Sequence, residues 1–352
     1  MYVGKRRPPK GAFRCGGSPG RQPDIDVGRR SRDANDTMFR LAHLTDPHIG
    51  PLPRPRLRQL LSKRATGYVN WRRGRGRHHD MDLLGALVAD LHSQGVDHVA
   101  CTGDLCNLGL PDEWETARVF LEALGPADRV SFVPGNHDAY VRGSLEGLLA
   151  ACGGWTEDDA GLARSFPYLR RRGPLALVGL SSAIPTKPFA ASGRLGPAQI
   201  ETAERLLRDL GAEAERPCRV VMIHHPPHPG GAAAGRELKD AADFSAMIGR
   251  VGADLILHGH NHVGSVARIA GPDGRPVPVV GAPSASARTL LSNRRASYYL
   301  YTITPGGEGY RISVTERGLD EEGGIAELSG FDIEMPPADR IGHVHRRRLR
   351  RA

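Results

Sequence analysis

Five short clusters rich in Asp, Asn and His each follow an apolar run typical of a β-strand, and this arrangement constrains the fold more than any other feature. The clusters are Asp46-Pro47-His48, Gly103-Asp104, Gly135-Asn136-His137-Asp138, His224-His225-Pro226-Pro227 and His258-Gly259-His260-Asn261-His262. Open α/β sheets bind ligands just beyond the carboxyl ends of their strands. Polar side chains at the ends of apolar strands are unfavourable unless a partner holds them. The arrangement therefore indicates an α/β fold with a metal site at one edge of a sheet.

Short apolar runs alternate with helical periodicities along the chain, as in a large α/β domain. Strands are predicted over residues 39–45, 96–102, 130–133, 175–180, 219–223 and 254–257. Apolar stripes with the 3.6-residue period predict one helix over residues 83–91 and another that begins at Pro197. After His262 further strands are predicted over residues 263–269, 277–280, 298–303 and 310–314. We expect this closing section to form a second sheet rather than a second domain.

The residue types and spacings in the clusters suit divalent ions. Two ions about 3.5 to 4 Å apart supply both a nucleophile at neutral pH and positive charge for the hydrolysis of a phosphate ester. Asp46 and His48 are two residues apart, so both can turn to one ion. Asp104 follows a glycine and has two oxygens, which makes it the natural bridge, and Asn136 offers a neutral oxygen.

His260 and His262 are separated by one residue, so their imidazoles can address two different ions. Carboxylate, amide and imidazole donors suit Mn, Fe and Zn almost equally. The sequence therefore predicts two divalent cofactor ions without choosing among these three metals.

The ordered set D-x-H, G-D, G-N-H-D, H-x-P and G-H-x-H resembles the calcineurin-like metallophosphoesterase superfamily over about residues 38–315. The resemblance implies a four-layer α-β-β-α sandwich of two mixed β-sheets with flanking helices and a dinuclear metal site at the strand carboxyl ends. It assigns one ion to Asp46, His48, Asp104 and His262, and the other ion to Asp104, Asn136, His224 and His260. The implied reaction is hydrolysis of a phosphate ester by a metal-bridging hydroxide.

The same resemblance gives roles to three neighbours of these ligands. It places His137 outside the metal shell near the leaving-group oxygen, where it would stabilise the transition state and help to protonate the leaving group. Asp138 would orient a histidine from outside the shell. His225 follows a ligand directly and is interpreted as a supporting or substrate-facing residue.

Two segments resemble the cyclic-nucleotide phosphodiesterase-like branch of the superfamily. They are residues 192–199, similar to G-x-L-x-x-x-Q, and the His224-His225-Pro226-Pro227 cluster. The chain departs from that branch because the helix that follows residue 197 has no Trp at residues 204–207. Residues 103–109 lack the G-D-x-V-D-R-G of serine/threonine protein phosphatases, and His137 stands where lipid A precursor hydrolases have Arg.

The formal net charge of +9 is concentrated at the two ends of the chain. Residues 1–37 carry +5 and residues 340–352 carry +6, which leaves −2 for the middle. The first segment is rich in Gly, Pro, Arg and Ser, so we expect a disordered basic segment over 1–37, a phosphoesterase domain over 38–330 and a basic tail over 331–352. No apolar run of about 18 residues predicts a membrane span, and we expect a cytoplasmic location.

Residues 54–79 contain nine Lys and Arg and no carboxylate. This segment follows closely on the predicted ligand loop at His48. One interpretation is a solvated surface loop. The other is a basic flap beside the metal site, in which Arg72 and Arg73 bind phosphate while Tyr68 or Trp71 contacts a base or a lipid.

Three functions are compatible with these features. The first is hydrolysis of a small phosphodiester such as a cyclic nucleotide. The second is a nuclease or a phospholipid or lipid-phosphate head-group hydrolase that binds nucleic acid or anionic lipid through the basic flap. The third is a non-catalytic scaffold, which the retention of every expected ligand disfavours. The oligomeric state is not predicted.

Overall fold

The computed structural model describes residues 38–161, 165–306 and 309–333. These residues form twelve strands, namely β1 (Phe39–Leu44), β2 (His98–Cys101), β3 (Val130–Phe132), β4 (Tyr168–Arg172), β5 (Leu175–Gly179), β6 (Cys218–Met222), β7 (Leu255–His258), β8 (Ser265–Ala270), β9 (Pro276–Gly281), β10 (Ser297–Gly306), β11 (Gly309–Leu319) and β12 (Ile325–Ile333). They also form six α-helices, α1 (Arg64–Arg73), α2 (Met81–Ser93), α3 (Pro111–Leu124), α4 (Ser144–Cys152), α5 (Pro197–Gly211) and α6 (Ala241–Val251). Short 3-10 helices lie at Leu57–Leu60, Arg75–His78, Gly153–Thr156 and Pro272–Gly274.

The strands make two six-stranded mixed sheets. The first has the order β12-β11-β10-β1-β2-β3, and the second has the order β4-β5-β6-β7-β9-β8. In the first sheet β1 pairs in parallel with β2 and antiparallel with β10. In the second sheet β5, β6, β7 and β9 are parallel, with antiparallel strands at both edges. The parallel strands bring the ends of β1, β2, β3, β6 and β7 to one edge of the sandwich, where the polar clusters begin.

Local signals in the sequence explain where two of the helices start. The carboxylate of Asp80 accepts hydrogen bonds from the backbone N–H groups of Asp82 and Leu83, which caps α2. Helix α5 begins at Pro197, whose missing N–H is not needed in the first turn. Both helices bury the predicted apolar stripes, with Leu87 and Leu207 fully buried.

Three apolar cores separate four layers. The middle core joins the two sheets through residues such as Leu41, Leu177 and Tyr301. A second core lies between the first sheet and helices α2 to α4, and a third lies between the second sheet and helices α5 and α6. This arrangement confirms the α-β-β-α sandwich of two mixed sheets.

The closing section of the chain differs from the prediction, because it completes both sheets instead of forming a sheet of its own. Strands β8 and β9 join the second sheet, whereas β10, β11 and β12 extend the first sheet from β1. The residues that pair β10 with β1 are far apart in the chain, and Ile303 and Phe39, for example, are separated by 264 positions. A period of two predicts a strand but carries no information about such a distant partner.

The predicted tail over 331–352 starts too early. Strand β12 continues to Ile333, which pairs with Ile312 and is buried in the middle core, while Phe331 pairs with Val314. The predicted disordered segment 1–37 and the rest of the predicted tail lie outside the described residues. Within the described ranges, no helix combines the length and the apolar character needed to cross a membrane.

Candidate metal centre

The seven predicted ligands lie on loops that leave the ends of five neighbouring strands. Asp46 and His48 follow β1, Asp104 follows β2, Asn136 follows β3, His224 follows β6, and His260 and His262 follow β7. Six of them are buried, and only the side chain of His262 is partly open, at 25% exposure. The structure thus brings together residues that are more than 200 positions apart in the chain.

The ligand loops have an unusual backbone. Five of the seven non-glycine residues with positive φ in the described part of the chain belong to the predicted ligands, namely Asp46, His48, Asp104, His260 and His262. Their φ values lie between 41° and 71°, in the left-handed region that side chains disfavour. Strain of this kind persists where the surrounding structure holds it, most often at functional sites.

Glycines let the ligand loops approach one another closely. A Cβ atom at Gly103 would lie 2.6 Å from the backbone nitrogen of Gly135, and a Cβ atom at Gly135 would lie 2.2 Å from Oδ1 of Asp104. Neither position can hold a larger residue without moving a ligand loop. The glycines in the G-D and G-N-H-D motifs therefore set the spacing of the centre.

One group of potential ligand atoms comes from the β1 and β7 loops. Nε2 of His48 lies 3.1 Å from Nε2 of His262 and 3.9 Å from Oδ1 of Asp46. Nε2 of His262 lies 3.2 Å from the same carboxylate oxygen. One nitrogen or oxygen from each of these residues falls within 4.8 Å of the others.

A second group comes from the β2, β6 and β7 loops and consists of Asp104, His224 and His260, again with one atom each within 4.8 Å. Nε2 of His224 lies 3.4 Å from Oδ2 of Asp104 and 3.3 Å from Oδ1 of Asn136. The same Asp104 oxygen lies 3.8 Å from Nε2 of His48. Asp104 therefore connects the two groups.

Two observations indicate that these residues suit divalent ions: the chemistry of their donor atoms, and a buried nitrogen that has no hydrogen-bond partner. Nε2 of His260 is buried and has no hydrogen-bond partner, although a buried ring nitrogen normally has one. Nδ1 of His224 donates to the carbonyl oxygen of Thr102 at 2.7 Å, which turns Nε2 toward the centre. Imidazole nitrogens and carboxylate oxygens are the donors that Mn, Fe and Zn accept.

Burial and neighbouring charges keep two histidines of the centre, His48 and His260, ready to bind a cation. At His224 the effect of burial is outweighed by the carboxylate of Asp104, which raises the pKa to about 9, so this residue must release a proton when it binds a metal. Burial lowers the pKa of His48 well below its ordinary value, and Arg75 adds to this effect. Burial likewise lowers the pKa of His260. For Asp46, burial opposes ionisation, but His262 and His224 lower the carboxyl pKa below its ordinary value. Neutral imidazoles beside ionised carboxylates are the protonation states that metal binding requires.

Comparison with known proteins decides the family. The family model for calcineurin-like phosphoesterases matches residues 39–264, which is more than half of the chain and includes all seven predicted ligands. The chain belongs to the calcineurin-like phosphoesterase family. A search of curated proteins gave no match.

Solved structures resemble the chain in fold. A purple acid phosphatase from yellow lupin (Lupinus luteus) seeds is 14% identical with a TM-score of 0.51, and the match covers 85% of this chain and 54% of that one. The NAD nucleotidase of Haemophilus influenzae is 14% identical with a TM-score of 0.43, covering 84% of this chain and 54% of that one. A 5'-nucleotidase precursor from Thermus thermophilus is 17% identical with a TM-score of 0.44, covering 85% and 55%. The chain thus spans just over half the length of these proteins.

The contacts of Asp138 differ from those of its predicted role. Its carboxylate accepts hydrogen bonds from the backbone N–H groups of Asp104, Cys106 and Gly135, at 2.8, 2.9 and 2.8 Å. Burial and the charge of Asp104 raise the pKa of Asp138. Asp138 therefore fixes the β2 loop against the β3 loop, and within the described residues its hydrogen bonds go to backbone groups rather than to a histidine. The strand spacing could not reveal this, because the partners are backbone groups.

His137 lies beside both groups of ligands. Its backbone N–H donates to Oδ1 of Asp104 at 2.7 Å, and its Nδ1 donates to the carbonyl oxygen of Asn107 at 2.6 Å. One of its ring nitrogens lies within 4.8 Å of ligand atoms of His48 and Asp104. Burial, with the charge of Arg75, lowers the pKa of His137 to about 3. Before substrate binds, its imidazole is therefore neutral with Nε2 unprotonated.

His225 is a supporting residue by its contacts. It is fully buried, its Nδ1 lies 2.7 Å from Oγ of Ser182, and its Nε2 lies 3.1 Å from the carbonyl oxygen of Ala191. Its ring centroid lies 4.4 Å from that of His260. These contacts hold His225 against the predicted ligand His260.

The basic segment 54–79, which we call the cap, lies beside the ligand loops. Arg72 and Arg73 are exposed, and the guanidinium of Arg72 lies 6.0 Å from the centroid of Tyr68. Trp71 is partly buried and stacks on His79, with centroids 6.0 Å apart and planes within 3°. The sequence singled out Arg72 and Arg73, but the arginine that reaches the centre is Arg75.

His79 was also missed by the sequence reasoning. Its ring centroid lies 4.7 Å from that of His48, and its Nδ1 lies 2.8 Å from Oγ of Ser286. In the sequence, only its position at the end of the basic segment 54–79 could have indicated a role near the centre. A run of like charges does not tell which members face inward.

Proposed function

We propose that the chain is a metal-dependent phosphoesterase that holds two divalent ions and hydrolyses a small phosphodiester, with cyclic nucleotides as the first candidates. The observation that carries the proposal is the position of Asp104, which belongs to the group with His224 and His260 and lies 3.8 Å from His48 of the other group. A carboxylate in this position can serve two ions at once. The grouping supports the assignment of Asp46, His48 and His262 to one ion and of His224 and His260 to the other, and Asn136 joins the second set through its contact with His224.

Ions bound at these groups would supply positive charge for the phosphate oxygens and activate a water molecule. The chain's own part is to hold the ligands rigid, which Asp138 does through its three backbone contacts. Asn136 contributes an oxygen without negative charge, so it does not repel the anionic substrate.

His137 faces a small cavity of ≈ 40 Å³ that is also lined by Asn70, Trp71 and Tyr140. A leaving-group oxygen that enters this cavity would lie next to Nε2 of His137. Proton donation from that nitrogen requires that the negative charge of the bound phosphate raises the low pKa of the imidazole. Stabilisation of the leaving oxygen by His137 is thus linked to substrate binding.

The experiment is a substrate panel with the protein loaded in turn with Mn, Fe or Zn. Cyclic nucleotides, glycerophosphodiesters, lipid phosphates and single-stranded DNA are compared at low and high salt. We expect turnover of a small diester with little dependence on salt. Preference for DNA or lipid phosphate with a steep loss at high salt would favour the second function, in which the exposed arginines of the cap bind a polyanion. No turnover of any ester by fully loaded protein would refute the proposal.

A further inference from the structure

The cap is fixed to the rest of the molecule rather than loosely attached. Nζ of Lys63 donates to Oγ1 of Thr186 at 2.6 Å and to the carbonyl oxygen of Ala190 at 3.0 Å. The Arg64 guanidinium donates to the carbonyl oxygens of Leu108, at 2.9 Å, and of Gly109, and to Oγ of Ser144. With His79 held by Ser286, the cap rests on three separate loops around the centre. Its side chains therefore have defined positions.

Local packing turns Arg75 inward. The 3-10 helix Arg75–His78 follows α1 directly, and Trp71 of α1 packs against it. A Cβ atom at Gly76 would lie 2.8 Å from the Trp71 ring, so glycine is what allows this contact. Arg72, Arg73 and Arg77 are exposed, whereas Arg75 is partly buried and lines the cavity beside His137.

The Arg75 guanidinium lacks a carboxylate partner. Its Nη2 lies 3.3 Å from Nε2 of His48, where it donates to the neutral ring. Asp104 and Asp46 attract it only through space, because no carboxylate of the described ranges comes within salt-bridge distance of it. A partly buried cation in this state is unfavourable unless an anion completes its surroundings.

The partner that Arg75 has now cannot be kept when the centre is loaded. Nδ1 of His48 faces the carbonyl oxygen of Cys106 at 3.3 Å, so Nε2 is the nitrogen available for a metal ion. A nitrogen that ligates a cation cannot also accept a hydrogen bond from Arg75. The guanidinium then needs another acceptor within a few ångströms of His48 and Asp104. That place is where a phosphate on the centre would present its oxygens.

We infer that Arg75 is a substrate-binding residue that contacts the oxygens of the scissile phosphate itself. The inference rests on the proposed function and deepens it, because it assigns phosphate recognition to one residue of the cap. A guanidinium presents N–H groups in a rigid fork that matches two phosphate oxygens, which a lysine cannot reproduce. The other three arginines of residues 72–77 have no part in binding the reacting group.

The test compares Arg75→Gln and Arg75→Lys with Arg73→Gln and Arg77→Gln, two matched controls that remove an exposed charge from the same segment. Metal content is measured first, and inorganic phosphate is then titrated calorimetrically into the Mn-loaded proteins. We expect all four variants to retain the metal. Arg75→Gln should bind phosphate about tenfold or more weakly, since a charged hydrogen-bond partner is lost, and Arg75→Lys should fall between it and the wild type. The two controls should stay within about twofold of the wild type.

Three results would overturn the inference. They are unchanged phosphate binding by Arg75→Gln, an equal loss in the exposed controls, and loss of metal by both Arg75 variants, which would make Arg75 a support for His48. Phosphate binding needs no turnover, so the test separates the two ideas. A wild type that binds phosphate through Arg75 but cleaves no ester would refute the proposed function alone. Hydrolysis with the same KM and kcat in Arg75→Gln would refute the Arg75 assignment alone.

Discussion

At the scale of single residues, Asp104 is the position on which the whole centre depends. Its carboxylate lies 3.4 Å from His224 and 3.8 Å from His48, which belong to different groups of ligands. We predict that Asp104→Asn lowers metal affinity at least about 100-fold and abolishes turnover, since an amide offers one neutral oxygen to two cations. Elemental analysis after dialysis measures the metal. The exposed Asp209→Asn variant on α5 is the control, and two tightly held ions in Asp104→Asn would contradict the assignment.

His137 is expected to act on the substrate rather than on the ions. Its Nδ1 is occupied by Asn107, which leaves Nε2 for the leaving group. We predict that His137→Ala keeps its metal and loses about 100-fold or more in kcat on an ester with a poor leaving group. An activated ester, whose leaving group needs no proton, should lose much less. Loss of metal from this variant would instead place His137 among the ligands, as its closeness to His48 and Asp104 allows.

The ligand residues could be predicted from the sequence because each follows an apolar strand that any α/β sheet would align. The backbone strain could not be predicted from the sequence, since the left-handed conformation of His260 and His262 arises only when the loops converge. The sequence also could not distinguish Arg75 from its exposed neighbours. Its inward direction depends on the contact between Trp71 and the turn at Gly76, which is tertiary packing rather than pattern.

At the scale of elements, ten of the twelve strands in the described ranges match predicted runs, and the two missed strands are informative. Strand β4 reads Tyr-Leu-Arg-Arg-Arg, a composition that looks like a solvated loop. The structure explains it through Arg170, which is 3% exposed and donates to four backbone carbonyl oxygens, those of Ala127, Val130, Gly154 and Glu157. A buried arginine that satisfies so many acceptors replaces the apolar residue that the pattern expects.

This role predicts a large difference between adjacent arginines of β4. Arg170→Met should lower the free energy of unfolding by about 3 kcal/mol or more, because several buried carbonyl oxygens lose their donor. Arg171→Met removes an exposed ion pair with Glu213 and should change it by less than about 1 kcal/mol. Urea unfolding followed by circular dichroism measures both. Equal stabilities would show that water replaces the guanidinium without penalty.

At the scale of the whole molecule, the sequence predicted the layers but not the connections. Alternating apolar strands and amphipathic helices indicate sheets that are covered by helices. The number of layers was predicted only from the resemblance to a known superfamily. The pairing of β10 with β1 was missed because the cores on both faces of the first sheet accept any apolar strand. Only the assembled sandwich decides which edge a late strand can reach.

The sandwich also buries many histidines in the neutral state, which should make the fold sensitive to acid. Burial lowers the pKa to about 3 or 4 for His43, His79, His98, His137, His225 and His258. His224 is the exception, because Asp104 raises its pKa despite burial. The unfolded chain regains ordinary histidines with a pKa near 6.5 and therefore takes up more protons than the native state below that pH.

A state that binds more protons gains population as the pH falls, so acid favours the unfolded chain. Each such histidine should cost about 2 kcal/mol of stability at pH 5 relative to pH 8. We predict that the free energy of unfolding in the presence of a chelator falls steeply between pH 7 and pH 5. His98, which is held by Ser131 away from the metal centre, allows a direct check. His98→Gln should reduce the slope by up to about 1.4 kcal/mol per pH unit. An unfolding free energy that does not change from pH 8 to pH 5 would mean that these histidines reach water and take up protons without global unfolding.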